Sequence, residues 1–207
     1  MKKGEKRKQD LIQIAYRLFI TRGYEHTSVD EIIAEAGIAK GTYYYYFESK
    51  EQMLEDVIGM MLQSETEKAE AVLHTDLSVP EKIAGIIASI HPAQEEQTIE
   101  DALHRPENVL MHNKARERIF DLVVPILSRA AEEGAEQGLF HCDHIPERVR
   151  EILILSSDLF DGHTPFSTAV IDVFIDTVEK ILGAEPGTMG FIRGLIRLPG
   201  NGPAEEC

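Results

Sequence analysis

The sequence predicts an all-α fold, a three-helix head followed by a helical body, and three observations carry that expectation. Apolar residues recur at spacings of three and four along most of the chain. No stretch shows the sustained alternation, bounded by turn signals, that marks a hairpin. Glycines and prolines fall where helices should stop and start. Hydrophobic residues make up 43% of the 207 and charged residues 28%, a globular balance with material for a core. No apolar run approaches the roughly 18 residues of a membrane-spanning helix.

Leu11, Ile14, Ala15, Leu18 and Phe19 form the apolar stripe of a first helix that ends at Gly23. Thr27 or Ser28 can cap a short second helix, with Glu31 placed to complete a capping box and Gly37 to stop it. A third short helix, about residues 40–46, follows after a turn of two or three residues, and Ser49 starts a fourth, longer one. Ser78-Val79-Pro80 opens a fifth, because proline is tolerated in a first turn. Residues 91–105 read as one helix or two. A long helix is expected over about 107–136, kinked by Pro125. Two more cover 146–161 and 166–182, a last one 188–198, and residues 199–207 read as a tail.

The net charge of −15 is unevenly spread. Residues 1–50 hold nine Lys and Arg against seven Asp and Glu; the rest hold 12 against 29. A polyanion would be attracted to the first part and repelled by the second, so any DNA contact is expected to be confined to the first part. The acidic surplus elsewhere is accounted for by solubility. The N-terminal lysines precede no apolar stretch of signal-peptide type, and two cysteines, Cys142 and Cys207, make no disulfide framework. A reducing cytoplasm is the expected compartment.

Two short helices joined by a tight, glycine-containing turn describe a helix-turn-helix. Val29, Ile32, Ile33, Ala36, Ile38, Tyr43 and Phe47 can build a small core with the first helix. Lys40, Thr42, Tyr44, Tyr45 and Tyr46 then face outward on the third, the helix that would enter a major groove. A tyrosine hydroxyl can bond a phosphate or base edge, and its ring can pack on a thymine methyl. Lys50 adds a cation where a phosphate could also meet helix amides. Catalytic signatures are absent: there is no G-x-S-x-G, P-loop, H-E-x-x-H or dinucleotide-binding glycine pattern, and no enzyme or cofactor is expected.

The run AGIAKGTYYYYFESKE closely resembles the DNA-binding head of TetR-family regulators, over about residues 8–60. The resemblance implies that Thr27, Lys40, Thr42, Tyr44, Tyr46 and Lys50 meet phosphates or nearby groove edges, with Tyr45 at a position that varies with operator sequence. Ser28 and Gly41 complete the candidate DNA-facing set. It also implies a homodimer, with the helices at 146–161 and 166–182 as the interface. Ala39 departs from the pattern, standing where a capping serine is common. The expected organisation is a DNA-binding domain over 1–49, an effector-binding and dimerisation domain over 50–198, and a flexible tail.

The expected function is a regulator, in most such proteins a repressor, released from a palindromic double-stranded operator by a small molecule. A constitutive or architectural DNA binder is the alternative. Candidate effector contacts are Met61, Ile86, Ile119, Phe120 and Val123, with His104, Asn108 and His112 as polar groups at helical spacing. Ordinary core packing, or a solvated helix face for the polar three, competes with that reading. His141-Cys142-Asp143-His144 gathers four possible ligands, but adjacent residues rarely point at one ion, so a loop is expected and no metal. Ile152, Leu155 and Leu159, with Val170, Phe174 and Val178, give two apolar stripes suited to a four-helix dimer interface.

Overall fold

The computed structural model describes residues 3–90, 99, 102–104, 109–160 and 166–196. In chain order come α1 (Lys3–Arg22), α2 (Val29–Ala36), α3 (Lys40–Tyr46), α4 (Lys50–Leu73), α5 (Val79–Ser89), α6 (Val109–Glu136), α7 (Ile145–Leu159) and α8 (Thr168–Leu182). A 3-10 segment, Gly190–Gly194, follows. No strand occurs among the described residues, as the all-α reading requires. The last helix expected, over 188–198, is shorter and tighter than foreseen. Glycines at 187, 190 and 194 disfavour a regular α-helix there, and positions 197 and 198 lie outside the described residues.

Local chemistry explains the boundaries. Gly23 (φ 85°) ends α1 in the left-handed region that glycine occupies without steric cost. The α2 capping box is complete: the Glu31 amide donates to Ser28 Oγ at 3.2 Å, and the Ser28 amide donates to Glu31 Oε2 at 2.7 Å. α5 repeats the device with Ser78 and Glu81, and carries Pro80 in its first turn. α6 continues through Pro125 although proline offers no amide to the preceding turn.

The chain packs as two compact units, residues 1–65 with 91–119 and residues 66–90 with 120–207. In the first, α1 packs on α2 and α2 on α3. Leu11, Ala15, Phe19, Tyr24, Ile32, Tyr43, Phe47, Met53, Leu54 and Val57 are its buried core. Val29, Ile33, Ala36 and Ile38, expected in that core, are only half-buried. Seven- and eight-residue helices are too short to bury more than one narrow stripe.

In the second unit α7 packs on α8, and the 3-10 segment on α8 and α5. Phe140 lies so close to Gly134 that a Cβ there would come within 2.5 Å of its ring. The buried carboxylate of Glu179 accepts the amides of Gly187 (2.8 Å) and Met189 (2.9 Å), which holds the turn after α8. Residues 141–144 form the expected loop: the His141 amide donates to the Leu182 carbonyl at 3.0 Å, and His144 (φ 58°) precedes α7. No cluster of three metal-ligating side chains occurs among the described residues. The α8 stripe proposed for dimerisation divides. Phe174 and Val178 are 4% and 1% exposed and belong to the chain's own core.

Candidate nucleic-acid interface

The tyrosine run of α3 is sorted by helix geometry into two faces. Tyr43 and Phe47, one turn apart, are buried, with ring centroids 5.4 Å apart. The Tyr43 hydroxyl donates to the Ser49 carbonyl at 3.3 Å, so the buried ring leaves no orphan polar group. Burial, with Tyr44 beside it, pushes the phenol pKa up to about 12. Tyr44 and Tyr45 lie on the other side, 49% and 80% exposed, too open for residues whose role is packing. Tyr46 is half-buried and meets Tyr45 edge-on at 4.9 Å.

Two other α3 candidates share this surface. Gly41 is exposed and a Cβ there would meet nothing within 4 Å, so a neighbouring chain could approach its backbone closely. Lys40 pairs with Asp30 at 3.2 Å, but both side chains are largely solvated, 63% and 76% exposed. Such a pair is worth little, and the ammonium can turn to another anion. Thr42 is half-buried one turn before Tyr46. α3 begins at Ala39 without a side-chain cap. At the start of α1, Lys6 and Arg7 are exposed.

The remaining candidates are placed differently. The Ser28 hydroxyl is exposed but already engaged in the α2 cap. Thr27 is fully buried, and its hydroxyl donates to the Gly23 carbonyl at 2.9 Å. The Thr27 hydroxyl thus ties down the loop between α1 and α2. Lys50 is half-buried at the start of α4, its ammonium 4.1 Å from the centroid of the Tyr24 ring. Desolvation lowers its pKa below the ordinary value, opposed by Glu25, Glu51 and Glu31. Tyr24 carries no signal in the sequence, because it lies far along the chain from the lysine beneath which it sits.

In the first unit, His104 and His112 are half-buried with ring centroids 4.7 Å apart, so these two polar candidates do come together. Asn108 lies outside the described residues. Met61 and Ile119 are half-buried in that unit. In the second, Ile86, Phe120 and Val123 are 0%, 5% and 2% exposed, ordinary core positions.

Two short helices at a tight turn, braced by a longer helix and presenting aromatic and cationic side chains outward, define a helix-turn-helix DNA-reading unit. The family model for bacterial regulatory proteins of the tetR family matches residues 11–57. The HTH-type transcriptional repressor KstR2 of Mycolicibacterium smegmatis is 33% identical over 145 residues, which is 70% of this chain and 66% of that repressor, just under two thirds of its length. Among solved structures, RolR in complex with resorcinol is similar with a TM-score of 0.64 and 20% identity, over 93% of this chain and 94% of that one. A TetR-family regulator from Mesorhizobium loti is similar with a TM-score of 0.60 and 19% identity, over 88% and 98%. At these identities the two structures speak to the fold. Residues 11–57 carry the DNA-binding domain of the TetR family of helix-turn-helix transcriptional regulators, a family of DNA-binding proteins and not of enzymes.

Proposed function

We propose that this chain is an effector-responsive regulator, a repressor, whose residues 1–49 read a palindromic operator while residues 50–198 dimerise and sense a small molecule. The observation that carries the reading is the split α3 face, with Tyr43 and Phe47 anchored in the core and Tyr44 and Tyr45 held out beside Lys40. In it, Lys40, Thr42, Tyr44, Tyr46 and Lys50 meet phosphates and groove edges, Gly41 admits a close backbone approach, Ser28 sits at the α2 terminus, and Tyr45 meets base edges.

The dimer is proposed to use α7 and α8. Ile152, Leu155 and Leu159 are half-exposed, Ile154 is 43% exposed and Val173 65%. With half-buried Val170 they leave an apolar surface that a second copy would cover. Two heads related by a two-fold axis would read half-sites separated by about 34–36 Å or a multiple. The effector is proposed to bind the body, with His104 and His112 among its polar contacts; RolR, which shares the fold, was solved with resorcinol. A ligand that favours the dimer with wrongly spaced heads would release DNA by population shift.

Selection of duplexes from a random-sequence pool by the purified protein, followed by a thermal-shift ligand screen, tests the reading. An enriched palindrome, with a ligand that raises Tm and dissociates it, is the expected outcome. Enrichment without any such ligand would indicate a constitutive binder, and no enriched sequence would refute the proposal.

A further inference from the structure

The cations near the reading head are held in two ways. Lys40 pairs with Asp30 at 3.2 Å and Lys8 with Asp56 at 2.8 Å, each facing a carboxylate that would compete with a phosphate. Lys50 lies over an aromatic ring, 4.1 Å from the centroid of Tyr24, with the carboxylates of Glu25, Glu51 and Glu31 also acting on it. A π-face attracts an ammonium without neutralising it. A lysine otherwise loses considerable rotamer freedom when fixed in one place.

The platform itself is rigid. Tyr24 is 5% exposed and braced edge-on by Phe19, with centroids 5.2 Å apart. Its carbonyl accepts the Thr27 amide at 3.2 Å, and the buried Thr27 hydroxyl bonds the Gly23 carbonyl. The loop between α1 and α2 is therefore fixed on both sides of the ring.

We propose that Tyr24 is a positioning residue for DNA binding, its ring face holding the Lys50 ammonium in place to meet a phosphate. The inference rests on the reading that Lys50 contacts DNA. Thr27 then acts through the same platform, steadying the loop that carries the ring rather than touching the nucleic acid.

Fluorescence anisotropy over a salt series tests it, using a duplex selected by the wild-type protein from a random pool. Tyr24→Leu is expected to lower the salt slope by about one unit and affinity by about three- to tenfold, as Lys50→Ala does. Adding Lys50→Ala to Tyr24→Leu should change the slope no further, and Tyr24→Phe, which keeps the ring, should retain the wild-type slope. A wild-type slope in Tyr24→Leu overturns the proposal. A wild-type slope in Lys50→Ala overturns it too, by removing the phosphate contact on which it rests. Should Tyr24→Leu fail to fold, proton NMR of the wild type decides. The Lys50 ε-methylene resonance, identified by its loss in Lys50→Ala, should be shifted upfield by the ring current and stay so in Tyr24→Phe. A resonance at the random-coil position in free protein overturns the tether without reference to DNA.

Discussion

The ammonium of Lys82 lies 2.9 and 2.7 Å from the two carboxylate oxygens of Glu133, a two-pronged pair that ties α5 to α6 within one packed unit. The lysine side chain is 8% exposed and the glutamate 34%, so the two ends depend on the pair unequally. Removing the partner of a buried charge leaves it uncompensated, whereas removing a buried charge from a partly solvated partner does not. Glu133→Ala is expected to cost about 2–4 kcal/mol in chemical denaturation, and Lys82→Met, which keeps the apolar stem, under about 1 kcal/mol. Equal losses would show that packing, not the stranded ammonium, sets the cost.

Acid should weaken the protein through its helix caps. Glu31 and Glu81 accept hydrogen bonds from the amide and hydroxyl of Ser28 and Ser78, which lower both carboxyls below the ordinary 4.5. Glu51 is lowered in the same direction, first by Ser49. A carboxylate whose pKa is lower folded than unfolded contributes stability that is present above the unfolded value and lost as pH falls through the folded one. Urea midpoints should therefore decline as pH drops below 4.5, and less steeply in Ser28→Ala, which starts from a lower neutral-pH midpoint. An acid limb of unchanged steepness in that variant would contradict the assignment.

Two glycines in the left-handed region should differ in their tolerance of alanine. At Gly37 (φ 60°) an added Cβ meets nothing within 4 Å, so only the backbone conformation is penalised, by about 1–2 kcal/mol. At Gly183 (φ 63°) the Cβ would also collide with the His141 carbonyl, where the loop is bonded to Leu182. Gly183→Ala should lower Tm clearly more than Gly37→Ala, and the reverse order would contradict this placement of the 141–144 loop.

How much of this was legible in the sequence follows from the range of the forces involved. The cap at Ser28, the proline start of α5, the stop at Gly37 and the sorting of Tyr43 and Phe47 from Tyr44 and Tyr45 were readable, because each rests on residues within one helical turn. The burial of the Thr27 hydroxyl was not readable: nothing local tells a hydroxyl that bonds Gly23 behind it from one that faces outward. The platform under Lys50 and the Lys82–Glu133 pair join residues distant in sequence, and no periodicity announces them. The α8 stripe was seen, but helical spacing cannot separate Phe174 and Val178, which the chain buries itself, from Val173, which it leaves exposed.

That distinction makes the proposed dimer testable. Val173→Asp places a charge on the apolar surface offered to a second copy, while Val178→Asp buries one in the chain's own core. Sedimentation equilibrium should show wild type at twice 23.2 kDa and Val173→Asp shifted toward the monomer with its helical circular dichroism intact. Val178→Asp should instead lose helicity. A wild-type monomer at micromolar concentration, or a Val173→Asp protein as dimeric as wild type, would contradict the α7–α8 interface.

Whether the outer face of α3 reads DNA is decided by anisotropy titration of Tyr45→Ala beside Lys40→Ala. The duplexes are one enriched by the wild-type protein and a scrambled control, each titrated over a salt series. Tyr45 is 80% exposed, with its ring against Tyr46 at the surface, so Tyr45→Ala should nearly keep its Tm and lose preference for the enriched duplex, by about 1–3 kcal/mol. Lys40→Ala should weaken both duplexes alike and lower the salt slope by about one unit. Wild-type affinity, preference and slope in both variants would contradict DNA reading by this face.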